Sequence, residues 1–269
     1  MHELRQRPPR VPAPPAPRRR RGLRGPWAAA GWAVLAAVSA GLVAWTVTGP
    51  SPRPDASAAG TAAAGGGAGG GAGPAARAPV VVNGRRQPPP VRVPRAATGR
   101  YAAVPGTAAP PGRHGYVVRY TVEVERGLPF SPARFAAEVH RVLNDRRGWG
   151  RGGRLRFLRV ADGPVRFRVA LSSPALTDRM CRPLDTRGQV SCHARGRAVL
   201  NARRWSQGAP PYRGDVAAYR EYLVNHEVGH ALGHGHRGCP GPGRRAPVMV
   251  QQTLSLYGCR ANPWPHPGD

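Results

Sequence analysis

Eleven residues near the C-terminus, His226-Glu-Val-Gly-His-Ala-Leu-Gly-His-Gly-His236, constrain this chain more than any other stretch. His226 and His230 are four apart, so on a helix they stand one turn above the other on the same face. Two imidazoles placed this way can share one Zn²⁺ at about 2.0–2.1 Å from each nitrogen. Glu227 lies about 100° further round the helix, beside such a metal rather than on it. From there it can take a proton from a water that the metal activates. Gly233 lets the backbone turn sharply after the helix and return His236 as a third ligand. His234 and Cys239 are the competing third ligands, but only His236 gives Gly233 a purpose. The single acidic residue after Glu227 is Asp269, so a downstream carboxylate ligand is unavailable at ordinary spacing. A purely structural zinc normally has four closed protein ligands and has no need of the glutamate.

The run fits H-E-x-x-H-x-x-G-x-x-H, and a methionine follows in Ala246-Pro-Val-Met249. These residues resemble the active site of the metzincin zinc peptidases. The resemblance implies an α+β fold: a twisted mixed sheet, a zinc-binding helix, and then a short subdomain carrying the Met-turn. It also implies Zn²⁺ on His226, His230 and His236, Glu227 as the catalytic base, and Met249 beneath the metal. The wider stretch from Asn225 to Pro265 is similar to a family of membrane-anchored actinobacterial proteins described as a domain of unknown function, with the likeness reaching back to about Tyr116. Arg237 after the third histidine matches no familiar metzincin subfamily. Gln251 stands where some members carry a tyrosine near the metal. The zinc chemistry is therefore implied, and substrate specificity is not.

Toward the N-terminus the chain changes character. Residues 1–26 are an Arg-rich tail expected in the cytoplasm. Trp27 to Thr48 is a run of 22 uncharged, mostly apolar residues directly after Arg18–Arg21 and Arg24. About 20 such residues cross a bilayer as a helix, and the basic flank stays inside. A cleaved signal peptide, cut after Ala40 or Ala58, is the competing reading, but signal cores are usually about 7–15 residues. Either way the remainder is exported. Residues 49–112, rich in Pro, Ala and Gly, read as a disordered tether that buries too little apolar surface to offset its ordering entropy. Within it, Val80–Val82 suggests a short strand or a docking segment.

The globular part is expected over residues 113–269. Tyr116–Glu125 alternates as a half-buried strand, with Val118, Tyr120, Val122 and Val124 on one face. Ser131-Pro132 starts a helix that ends near Asn144. Leu155–Val160, Val165–Leu171 and Ala198–Trp205 read as strands. Asp215 caps the helix that carries the zinc motif to about Leu232, with Tyr219, Tyr222 and Leu223 on the face of the two histidines. The four cysteines, 181, 192, 239 and 259, all follow the apolar run, and an even number in an exported domain suggests disulfides. Three pairings are open; the local one, Cys181–Cys192 and Cys239–Cys259, is expected.

All 41 basic side chains are arginine, and the net charge is +28. The arginines are dispersed and no nucleic-acid motif accompanies them, so nucleic acid is not an expected partner. The charge suits a plain solvated surface, with attraction to anionic envelope polymers as its use in binding. The function expected from these residues is a membrane-anchored, extracellular zinc metallopeptidase acting on proteins or peptides, including cell-wall cross-bridges. Tyr257 or a nearby arginine is the expected oxyanion donor. A non-catalytic envelope-binding module with a structural zinc is the alternative.

Overall fold

The computed structural model describes residues 78–150 and 153–268. The Arg-rich tail, the apolar run 27–48 and the linker as far as residue 77 lie outside the described residues. Among the described residues no helix is long and apolar enough to cross a membrane.

The domain is α+β, with a mixed six-stranded sheet and four helices. Strand β4, Tyr116–Glu125, runs through its middle. Val118, Tyr120, Val122 and Val124 point into the main core on one face, while the other carries exposed Val117 and Arg119 and then buried Thr121, Glu123 and Glu125, as the period of two requires. Strand β6, Phe167–Ser172, pairs parallel with residues 120–124 of β4, and β5, Leu155–Arg159, pairs parallel with residues 116–120. Tyr120 has partners in both, Arg159 and Phe167, so β5 and β6 lie on opposite sides of β4. Beyond β6 come β8, Arg197–Asn201, also parallel, and β7, Cys192–Ala194, an antiparallel edge strand.

Helix α1, Pro132–Leu143, starts where the sequence indicates: the Ser131 hydroxyl accepts from the Arg134 amide and Pro132 opens the first turn. Phe135, Val139, Val142 and Leu143 bury its inner stripe. It packs on the same face of the sheet as α4, Val216–Ala231, while the short α2, Pro174–Met180, lies on the other face against β6 and β8. Both faces are covered, as the parallel part of a sheet requires.

Two expectations need correction. The strand expected over Ala198–Trp205 stops at Asn201, and residues Ala202–Gln207 form helix α3. Asn201 ends the strand by capping: its side chain accepts from the Arg203 amide, giving the backbone a turn that strand pairing does not offer. Second, the stretch 78–112 is not free linker but part of the domain. Strands β1, Val81–Val82, and β2, Arg85–Arg86, form a hairpin. From it Asn83 and Gln87 donate to the Asp215 carboxylate at the start of α4, and Arg85 pairs with Glu221 at 2.7 Å. Val91 exchanges two hydrogen bonds with the Ser206 hydroxyl. Further on, β3, Tyr101–Ala103, pairs antiparallel with the end of β4. Composition misleads here because the segment is held mainly by specific hydrogen bonds rather than by a periodic apolar face.

Candidate metal centre

Helix α4 brings the first two histidines together. The Asp215 side chain accepts from the Ala218 amide at 3.0 Å, so the helix begins where the sequence places it. From Ala218 to Gly229 every residue is buried, which makes α4 the central rod of the domain. The helix ends in a Schellman turn: the Gly233 amide donates to His230 and the His234 amide to Gly229, at 3.0 and 2.9 Å. Gly233 has φ +96°, a conformation that favours glycine. That reversal returns the chain so that His236 faces the helix it has just left.

The three imidazoles converge. One ligand nitrogen from each of His226, His230 and His236 lies within 4.8 Å of the others, a cluster that could hold a metal ion. Nε2 of His230 and Nε2 of His236 are 3.1 Å apart. Two nitrogens on one tetrahedral zinc would stand about 3.3 Å apart, given zinc–nitrogen bonds of 2.0–2.1 Å. The opposite nitrogens are anchored: His226 Nδ1 meets the Val248 carbonyl and His230 Nδ1 meets the His234 carbonyl, both at 2.9 Å. Such bonds fix the tautomer with Nδ1 protonated and leave the Nε2 lone pair for a metal. Burial pushes the His226 imidazole down to about 3, opposed by its bond to Val248 and helped by the two neighbouring histidines. His230 is lowered as well, chiefly by burial. Both are thus neutral near pH 7, the form that ligates.

Glu227 completes the arrangement. Its Oε2 is buried with no hydrogen-bond partner among the protein atoms. Burial alone raises this carboxyl to about 8. A divalent cation beside it would favour the ionised form again. Glu227 lines the same cleft as the three histidines, a cavity of about 700 Å³. A buried, partnerless carboxylate is costly, and a site that needs a base beside a metal gives it a reason to be there.

The floor comes from the segment after the third histidine. Met249 is buried and packs against Gly229; a Cβ on that glycine would stand 2.5 Å from the methionine sulfur and 2.8 Å from the Trp149 ring. Gly229 therefore lets helix and floor approach closely. The Arg237 amide donates to the Met249 carbonyl at 3.0 Å, tying the His236 loop to that floor. Cys239 is bonded to Cys259 and Cys181 to Cys192, the local pairing. Cys239 is thereby removed as a ligand. His234 is outside the cluster too: its ring stacks on Trp149, with centroids 4.3 Å apart. Asp269 lies outside the described residues.

Of the two expected oxyanion donors, Tyr257 is exposed and is not among the residues lining the cleft, whereas one arginine, Arg187, is in the lining. Gln251 is in the lining, and so is His193 on β7, a residue the sequence reading did not single out. No spacing links position 193 to the three clustered histidines, so only the sheet register could reveal it.

Residues 87–258 match a family described as "Protein of unknown function (DUF3152)". The match begins well before Tyr116, in keeping with the packed segment that leads into β3. No curated protein and no solved structure matches the chain.

Proposed function

We propose that this chain, which belongs to the DUF3152 family, is a zinc-dependent peptidase of metzincin type. The observation that carries the reading is the pairing of two features in one cleft: three histidines whose free nitrogens converge, and a buried carboxylate with no protein partner. The order of elements, the tight turn at Gly233 and Met249 beneath the helix support the metzincin assignment.

When bound, Zn²⁺ supplies Lewis acidity that polarises a peptide carbonyl and acidifies a water. The chain's own residues do the rest. His226, His230 and His236 would hold the ion, the first two through nitrogens already aimed by the Val248 and His234 carbonyls. Glu227 accepts a proton from the attacking water and delivers it to the nitrogen of the departing amine, so the carboxylate is regenerated each cycle. The cleft around it orients the peptide.

The test is metal content and peptide cleavage on one preparation of the full chain. We expect one zinc per chain, and cleavage of a broad peptide library that includes cell-wall cross-bridge peptides. Chelation should abolish cleavage and added zinc restore it, and His230→Ala should lose metal and activity together. A chain that binds zinc firmly yet cleaves nothing in the library would favour the envelope-binding module with a structural metal.

Two disulfides suit an extracytoplasmic domain. With the Arg-flanked run at 27–48, they support a single-pass anchor, N-terminus inside and zinc domain outside. Protease added to intact cells is then expected to release a soluble fragment that begins upstream of the packed hairpin, between Gly49 and about Pro79. Full-length chain recovered only from the cytosolic fraction would exclude this topology.

A further inference from the structure

The cleft has a wall as well as a floor, and β7 forms it. The register pairs Cys192 with Val199 and His193 with Ala198. Val199 clusters with Cys181 and Cys192 on the face covered by α2, whereas Ala198 belongs to the core under α4. Neighbouring residues of a strand point to opposite faces. His193 therefore projects toward the zinc helix, and its half-buried side chain lines the cleft with Glu227 and His230. It stands outside the three-histidine cluster.

The segment that carries His193 is held rigidly. The disulfide fixes Cys192 to the end of α2. The Asp178 carboxylate accepts from the Thr186 hydroxyl and from the Gly188 amide. Arg204 binds both the carbonyl and the side chain of Gln189, and the Ser191 hydroxyl accepts from the Asn201 amide at 3.0 Å. A donor that must meet a charge appearing only during reaction works best when it is preorganised in this way.

We propose that His193 is the hydrogen-bond donor that faces the metal across the cleft and stabilises the oxyanion of the attacked peptide carbonyl. The assignment rests on the peptidase reading and replaces Tyr257 in that role. As water adds to the carbonyl carbon, the carbonyl π pair moves onto oxygen, and the imidazole N–H of His193 binds the developing charge. A neutral imidazole carries one N–H, so no change of protonation is needed. When the carbon–nitrogen bond breaks, that pair re-forms the carbonyl, and the amine leaves with the proton held by Glu227.

The test compares full-length wild type, His193→Ala and His193→Gln by zinc content, by kcat and KM on a cleaved peptide, and by the affinity of the zinc-loaded chain for acetohydroxamate. Zinc content should be unchanged in all three. In His193→Ala kcat should fall about 10²–10³-fold, the usual cost of one oxyanion donor, with KM nearly unchanged. His193→Gln, whose amide can donate, should recover part of the loss and guards against a folding defect in the alanine variant. Acetohydroxamate should bind about tenfold more weakly to His193→Ala, the worth of one hydrogen bond to a charged group. Unchanged kcat and hydroxamate affinity, or loss of zinc in both variants, overturns the assignment while leaving the peptidase reading in place. If the zinc-loaded wild type cleaves nothing, the peptidase reading fails and the hydroxamate comparison alone decides: a tenfold loss upholds His193 as a donor facing the metal, and equal affinities overturn it. A wild-type chain that binds no zinc overturns both.

Discussion

Replacing Glu227 with alanine is expected to leave zinc content near that of the wild type while lowering turnover about 10²–10⁴-fold, the usual contribution of a positioned general base. That loss corresponds to about 3–5 kcal/mol of barrier. The reasoning starts from the carboxylate's surroundings. Glu227 is buried on the central helix, and its Oε2 has no protein partner, so removing it breaks no hydrogen bond made by that atom. It is not one of the three clustered ligand residues, so the metal keeps its full set of imidazoles. Alanine also suits a helix interior. Zinc content and stability should accordingly survive, and catalysis should not. A structural zinc predicts the opposite: Glu227→Ala would be silent in function, and only the histidine substitutions would matter. Measuring zinc and peptide cleavage on the same purified variant decides, and wild-type rates in Glu227→Ala would defeat the mechanism.

Breaking the Cys239–Cys259 bond should have the largest effect on stability and should reach the metal as well. The bond spans 20 residues and encloses Ala246–Val250, the segment that supplies the Val248 carbonyl to His226 and the Met249 contact to Gly229. Opening a loop of that length costs about 3 kcal/mol in the chain-entropy model. For a domain of this size that is a fall of about 6–12 °C in Tm, at 2–4 °C per kcal/mol. The paired Cys239→Ser and Cys259→Ser variant should also bind zinc more weakly, because the carbonyl that aims His226 loses its restraint. Thermal melts and a competition titration with a chromogenic zinc chelator measure the two effects separately. There is a rival anchor. The buried Gln252 side chain donates to the Asn262 and Pro247 carbonyls and accepts from Tyr212 and from the Asn262 amide. A lower Tm with unchanged zinc affinity would show that this network, not the disulfide, holds the floor.

The parts of the site that could be read from the residues are those set by local geometry. The i, i+4 placement of His226 and His230, the Asp215 cap, the Gly233 reversal that returns His236, and strand β4 all depend on neighbours within a few positions. A chain needs only helix pitch, strand pleat and backbone sterics to express them. The two disulfides close short loops, and proximity along the chain favours that pairing over the other two. The strand boundary at Asn201 was missed even though its cause is local, because an asparagine can occupy a strand end or a helix cap with equal ease.

What the tertiary structure alone decided lies between positions far apart in the chain. His193 reaches the cleft beside α4 only because β7 adds to the edge of the sheet with its pleat turned toward that helix. Val248 fixes His226 across 22 residues, and Asn83 and Gln87 reach the Asp215 cap across about 130. The Pro-rich segment 78–112 has no period of its own, so composition could not distinguish a strap bound to the domain from a free tether. Periodicity reports which face of an element is buried. Which partner that face or backbone meets depends on packing and hydrogen bonds that form only when the whole domain closes, and those contacts turn three histidines and a glutamate into a site.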